Sequence, residues 1–149
     1  MRMSYEELLN KGLIKRFKQS PSQVKNRIEL AKRDIKSARA TMANDRDWAF
    51  AMAYNAILQA TRALMFAKGF RPSTGEGRHK VAVRFAEITL GEKFHNEIYI
   101  FDKMRSKRHR VIYDVLGIIS QKEAREAFEF AVKFVNTVES LVDIEKDQQ

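Results

Sequence analysis

A dense group of basic side chains lies between Asp102 and Asp114, in the segment DKMRSKRHRVIYD, with no acidic residue between the two aspartates. Guanidinium groups bind phosphate oxygens through paired hydrogen bonds, and an aromatic ring can stack on a base. The segment therefore predicts a site for a phosphate-bearing ligand, and a solvated basic helix face is the alternative. Its cations are Lys103, Arg105, Lys107, Arg108 and Arg110.

The chemistry of this segment depends on which side chains share a face. In a helix, Arg105, His109 and Tyr113 follow one another at intervals of four residues and lie along one face. Arg108 lies on the neighbouring stripe, and Arg110 adds a further cation. We expect a phenol, an imidazole and guanidinium groups to share one small surface that binds a ligand.

Residues outside this segment add to the candidate ligand site. Asn55 is a polar residue in a very apolar stretch, and a bond to a neighbouring helix is its alternative role. The loop 69–78 carries three glycines, but it matches neither GxxxxGK[ST] nor GxGxxG, so both nucleotide-fold interpretations are rejected. Arg71, Arg78, His79 and Lys80, in or next to this loop, could meet a ligand, and a mobile connector is the alternative.

The run Arg108-His109-Arg110-Val111-Ile112-Tyr113-Asp114 resembles the signature of the HEPN superfamily, the higher eukaryote and prokaryote nucleotide-binding domain. Its ribonuclease members have an arginine, usually followed by a polar residue, and a histidine several positions on. Arg108 takes the arginine place, His109 the polar place, and Tyr113 falls on the histidine place. The other register, from Arg105 to His109, has one intervening residue fewer than usual.

Three upstream segments carry the same resemblance. They are AYNA at 53–56, ALMFAKGFRP at 63–72 and RHK at 78–80. Together with the basic segment they span about residues 20–142. The resemblance implies a helical bundle like that of the substrate-binding subunits of nucleotidyltransferases. It also implies a homodimer, and a minimal nucleotidyltransferase as partner in a toxin–antitoxin pair.

The resemblance further implies metal-independent cleavage of RNA as a possible activity, with Arg108, His109 and Tyr113 as the catalytic candidates. A tyrosine with an unperturbed pKa of about 10 is protonated at neutral pH and is a poor general base. The imidazole of His109, with an unperturbed pKa of about 6.5, is the alternative base.

Composition sets the outer limits. A chain of 149 residues with 44% hydrophobic content predicts one domain over 1–149, with a core at about 20–142 and a helical appendage at 4–17. The absence of cysteine excludes disulfides and thiolate sites, and no stretch approaches a membrane span of about 20 apolar residues. We therefore expect a cytoplasmic protein without membrane contact, whose net charge of +9 favours polyanions.

Capping signals and apolar periodicity predict the helices that position the site. A first helix begins at Ser4 and ends near Gly12, and the next begins at Ser20-Pro21. Trp48–Lys68 is apolar on nearly every face, which predicts the most buried helix. Further helices are expected at about His79–Leu90, at Phe94–Tyr113 and from Ser120 onward. Because no alternating strand pattern occurs, we predict an all-α, up-and-down helical bundle of four to five helices.

These observations favour a protein that binds a nucleotide or RNA. A metal-independent ribonuclease toxin using the same residues is the first alternative, and a helical assembly subunit without a ligand is the second. No cofactor or metal is expected, because His79, His95 and His109 are too scattered to predict a ligand set.

Overall fold

The structure, a computed structural model, describes residues 4–75 and 77–147. This part of the chain confirms the predicted all-α bundle, with a very small sheet added. Its elements are α1 (Tyr5–Asn10), β1 (Ile14–Arg16), α2 (Pro21–Thr41), α3 (Arg46–Ala67), β2 (Phe70–Pro72), α4 (Arg78–Leu90), a 3₁₀ turn (Glu92–Phe94), α5 (His95–Tyr113) and α6 (Gln121–Asp147).

Helix α3 lies at the centre of the bundle, against α2, α4, α5 and α6. Its many alanines allow the neighbouring helices to approach closely, and most of its residues from Ala49 to Met65 are buried. Asp45 begins the helix by accepting a hydrogen bond from the Trp48 amide at 3.0 Å. Gly69, with a φ of +86°, follows its C-terminal end, where a left-handed residue is needed. The predicted position of the most buried helix is confirmed.

Side-chain hydrogen bonds fix where two of the long helices begin. The Ser20 amide donates to Gln23 Oε1 at 2.8 Å, one turn into α2. At the start of α6, the Ser120 amide donates to Glu123 Oε1 at 3.1 Å, and the Glu123 amide donates to Ser120 Oγ at 3.0 Å. These bonds satisfy amides that a helix leaves without intrahelical acceptors.

The two strands are a difference from the sequence expectation, which contains none. Strands β1 and β2 pair antiparallel, with Ile14 opposite Pro72 and Arg16 opposite Phe70. Strands of three residues are too short to show alternation, and their partners are more than 50 residues apart, so no hairpin signal exists. Part of the segment 69–78, expected as a loop, is therefore tied to the N-terminal segment, where the Ser73 amide also donates to the Leu13 carbonyl at 3.1 Å.

The N-terminal segment covers one end of the core. Leu8 and Ile14 are buried, and the Tyr5 ring packs on Phe85 and Phe70, with ring centroids 5.0 Å and 5.1 Å apart. Within the described residues, no helix combines the length and the apolar character that a membrane crossing requires.

Helix α5 is held along its inner side and beyond its end. Ile98, Phe101, Met104 and Val111 are buried, and they define the face that packs on the bundle. Asp47 of α3 accepts hydrogen bonds from the amides of Gly117 at 2.6 Å and Ile119 at 3.3 Å, which fixes the connection from α5 to α6. Arg105 and Arg108 share the helical spacing of this inner face.

Candidate functional site

Arg108 lies on the inner side of α5, next to α3. Its guanidinium carbon is 5.6 Å from the centroid of the Tyr54 ring, within the range of a cation–π contact. The Nε atom of Arg108 is buried and has no hydrogen-bond acceptor among the described residues. Buried donors nearly always have a partner, so this guanidinium is unusual.

Tyr54 and His79 form a hydrogen-bonded pair next to Arg108. The Tyr54 hydroxyl is 2.8 Å from His79 Nδ1, and the two rings are nearly parallel, with an interplanar angle of 10° and centroids 5.7 Å apart. Tyr54 is fully buried in the middle of α3, and His79 is half-buried in the first turn of α4. The pair therefore joins the centre of the bundle to the start of α4.

The electrostatic environment keeps both members of this pair neutral. Burial raises the pKa of Tyr54 well above its ordinary value, although nearby arginines oppose the shift. Burial, followed by the charges of Arg108 and Arg62, lowers the pKa of His79 to about 4. At neutral pH, Tyr54 keeps its proton and His79 is an uncharged imidazole.

Four arginines act on His79, and we call them, with Tyr54 and His79, the arginine cluster. The four are Arg62, Arg78, Arg105 and Arg108. Arg105 also donates from Nε to Asp102 Oδ1 at 2.9 Å. Burial, together with the charges of Arg27 and Arg78, lowers the pKa of Arg62. The cluster concentrates positive charge around a neutral, partly accessible imidazole, an arrangement that favours anions.

The structure places the other predicted residues of α5 on its outer side. The rings of His109 and Tyr113 contact each other with centroids 4.9 Å apart, and Tyr113 is 67% exposed. Arg110 lies beside a surface depression that includes Lys107, which pairs with Glu123 of α6. Among the described residues, no hydrogen bond or ring contact joins His109 or Tyr113 to the arginine cluster.

The remaining candidates occupy separate places. Asn55 donates from Nδ2 to Asp34 Oδ2 of α2 at 2.8 Å, so its amide links two helices. The guanidinium of Arg71, on β2, lies 5.5 Å from the centroid of the Phe17 ring. Lys80 is exposed on α4. Of the residues predicted to meet a ligand, the structure brings together Arg78, His79, Arg105 and Arg108.

Tyr54 and Arg62 are members of the cluster that the sequence does not predict as site residues. A signal exists in the sequence, because Tyr54 and Arg62 are eight residues apart on α3 and share one side of a helix. A charged residue in so apolar a helix needs a partner or a functional reason. The contact between α3 and the start of α4, however, depends on tertiary packing.

The fold and the cluster define the class of protein: an α-helical bundle whose central helix contributes to an arginine-rich site. The chain belongs to the HEPN domain family, whose model matches residues 24–141, from the first turn of α2 into the last part of α6. The predicted resemblance is thereby confirmed, and the family supports a function related to nucleotides or RNA. Comparison with curated proteins gives no match. Among the described residues, no group of three His, Asp or Glu side chains is arranged to hold a metal ion.

The depressed pKa of His79 predicts a specific dependence of stability on pH. The imidazole has an ordinary pKa of about 6.5 when the chain is unfolded and about 4 in the folded protein. As the pH falls, the imidazole of the unfolded chain therefore binds a proton before that of the folded protein does. The contribution of His79 to the free energy of unfolding is present above about pH 6.5 and is lost as the pH falls toward about 4. Thermal unfolding at pH 7, 6, 5 and 4 measures this loss.

A variant isolates the contribution of His79 from that of other groups. Between pH 7 and pH 4, the melting temperature of His79→Gln should decrease less than that of wild type, because glutamine does not titrate. His95→Gln, a change at an exposed histidine, should follow wild type. Parallel curves for wild type and His79→Gln would contradict the assignment.

Proposed function

We propose that the arginine cluster binds the phosphate groups of a nucleotide or of RNA. The observation that carries the proposal is the partly exposed guanidinium of Arg108, whose Nε atom is buried and lacks an acceptor among the described residues. A buried donor without an acceptor costs on the order of 1–3 kcal/mol, and more when it is charged. A phosphate oxygen matches a guanidinium donor and would satisfy both the hydrogen bond and the charge.

The charge balance around Arg108 supports the same ligand class. Asp102 pairs with Arg105. Within the described part of the chain, no carboxylate forms an ion pair with Arg62, Arg78 or Arg108. Like charges held close together destabilise a fold unless an anion offsets them. A ligand with several negative charges would reduce this repulsion, whereas a neutral ligand would not.

The pair formed by Tyr54 and His79 supplies a neutral polar group to the proposed site. In the tautomer in which Tyr54 donates to Nδ1, His79 carries its proton on Nε2 and can donate it to a phosphate oxygen. On the outer side of α5, the exposed ring pair of His109 and Tyr113 offers a stacking surface for a base, with Arg110 as a further cation.

Arg108→Ala should weaken the binding of ATP by about 1–3 kcal/mol, because it removes a charge-assisted hydrogen bond to phosphate. Binding should also weaken as salt is added, since phosphate contacts release counterions. Titration calorimetry at two salt concentrations measures both effects. Arg125→Ala removes the same charge from an exposed position on α6 and should leave ATP affinity within twofold of wild type. Equal losses for both variants would show that net charge, and not the cluster, governs binding.

A metal-independent ribonuclease is the second candidate, and one observation favours it. The histidine place of the HEPN signature falls on Tyr113, yet a histidine, His79, lies near Arg108 from the start of α4. A neutral imidazole can accept the proton of a ribose 2′-hydroxyl while an arginine stabilises charge on the scissile phosphate. This hypothesis uses the other tautomer, in which Nδ1–H of His79 donates to the Tyr54 oxygen, so that Tyr54 orients the imidazole and Nε2 is the base.

Cleavage of a labelled RNA in the presence of a chelator tests this candidate. His79→Gln should abolish cleavage and leave RNA affinity within about threefold of wild type, because glutamine keeps polarity without acting as a base. Tyr113→Phe and His109→Gln should cleave like wild type if His79 is the base. Loss of cleavage in Tyr113→Phe with normal cleavage in His79→Gln would instead support the signature position. If no protein cleaves RNA and ATP is not bound, the chain is better described as a helical assembly subunit.

We also propose a homodimer formed through the outer side of α5 and the connection to α6. The support is a group of large apolar side chains that the bundle leaves exposed, with Leu116 at 92%. The group is Trp48, Tyr99, Ile100, Tyr113, Val115 and Leu116. Tyr113, Val115 and Leu116 follow one another closely at the end of α5 and in the connection to α6, and exposed apolar patches are typical of protein interfaces. Pairing with a minimal nucleotidyltransferase, which the family resemblance implies, stays a prediction that co-purification of the two proteins would check.

Light scattering at micromolar concentration should give twice the mass of the chain. Leu116→Asp should shift the protein toward the monomer, because it places a charge in the apolar interface. Ala40→Asp adds the same charge at an exposed position of α2 and should leave the mass unchanged. A monomeric wild type would contradict the dimer proposal.

A further inference from the structure

A concave surface lies next to the arginine cluster, between α2, α3 and the small sheet. Its cavity has a volume of about 480 Å³. We call it the arginine–phenylalanine groove, and define it by Phe17, Arg27, Arg62, Phe66, Arg71 and Arg78.

The groove combines aromatic rings with cations. Phe17 and Phe66 contact each other, with centroids 5.3 Å apart. The guanidinium of Arg71 lies 5.5 Å from the Phe17 centroid, and that of Arg27 lies 5.6 Å from the Phe66 centroid. Both rings are half-buried, so part of each remains accessible. Alternating rings and guanidinium groups are the features with which proteins hold unpaired bases and the backbone that joins them.

The part of this surface that the structure describes carries no negative charge. Its described lining residues include no carboxylate, and no carboxylate elsewhere in the described part of the chain forms an ion pair with Arg27, Arg62, Arg71 or Arg78. Arg27 has one neutral partner, since it donates from Nη1 to Gln59 Oε1 at 3.0 Å. A guanidinium has five N–H donors, so Arg27 keeps donors for a ligand.

Two residues belong to both surfaces. Arg62 and Arg78 line the groove, and their charges also act on His79 in the arginine cluster. The positive surface is therefore continuous from the groove, through Arg62 and Arg78, to Arg105 and Arg108 of the cluster. A single nucleotide carries all its phosphates at one end, whereas a polynucleotide has one phosphate for each residue and can place successive phosphates along both surfaces.

We propose that the arginine–phenylalanine groove binds a second part of one single-stranded RNA whose neighbouring phosphate occupies the arginine cluster. This inference rests on the proposed function and narrows the class of ligand. RNA is then the ligand that contacts both surfaces, whereas a free nucleotide contacts the arginine cluster alone. Unpaired bases contact the rings of Phe17 and Phe66, and Arg27 and Arg71 contact the backbone.

The experiment compares ATP with a fluorescein-labelled, unstructured RNA of twelve nucleotides, by calorimetry and fluorescence anisotropy. Arg71→Ala should weaken RNA binding about tenfold, reduce the salt slope of RNA binding by about one, and leave ATP affinity within twofold of wild type. Arg108→Ala should weaken both ligands. The same RNA in a duplex should bind more weakly, since paired bases cannot stack on the groove.

Arg16→Ala is the matched control. Arg16 lies on the same small sheet and also contacts a phenylalanine, with its guanidinium carbon 5.7 Å from the Phe70 centroid, but it does not line the groove. Its variant should bind RNA and ATP like wild type. Thermal melts of all three variants establish that each is folded.

The outcomes separate the two proposals. If ATP binding depends on Arg108 but RNA binds no tighter than ATP, or Arg71→Ala weakens RNA no more than Arg16→Ala does, the groove inference is overturned and the proposed function stands. If neither ligand depends on Arg108, the proposed function fails and the groove inference fails with it. An equal loss of ATP and RNA affinity in Arg71→Ala also overturns the groove inference, because it would place Arg71 at the nucleotide site itself.

Discussion

The burial of α3 on nearly every side is the constraint on which the rest of the structure depends. A polar side chain on such a helix cannot reach bulk water easily, so it needs a hydrogen-bond partner inside the protein. Three hydrogen bonds meet this requirement and link α3 to α2 and α4. They join Tyr54 to His79, Asn55 to Asp34, and Gln59 to Arg27. The same bonds that satisfy the buried polar groups therefore also position residues of the cluster and the groove.

The positive charge follows from this arrangement. Arg62 lies on α3 itself, Arg78 and His79 begin α4, and Arg105 and Arg108 come from the inner side of α5. Side chains from three helices thus meet at one place, although the three groups of residues are well separated along the sequence. Contacts with rings, as between Arg108 and Tyr54, stabilise a guanidinium without neutralising it. The positive charge is therefore retained. Repulsion between the arginines lowers the stability of the fold, but the same charge attracts an anion.

The sequence predicts most of the fold because the helices carry their own signals. Ser20 with Gln23, and Ser120 with Glu123, mark helix starts through local bonds, and the composition of 48–68 predicts its burial directly. The small sheet has no such signal in the sequence, because the pairing of Ile14 with Pro72 is not local. For the site, the sequence identifies Arg105, Arg108 and His79 separately. Their meeting with Tyr54 depends on how α3, α4 and α5 pack, which no spacing within one segment can indicate.

The electrostatic coupling within the cluster also has a consequence for ligand binding. The charges of the arginines, added to the effect of burial, hold the pKa of His79 at about 4. A phosphate among the same arginines would offset those charges and raise this pKa toward the ordinary value of about 6.5. Because linkage is reciprocal, protonation of His79 would then strengthen phosphate binding to the same degree. The imidazole would be neutral in the free protein and become able to accept a proton as an anion arrives, so binding and acid–base chemistry at this site would depend on each other.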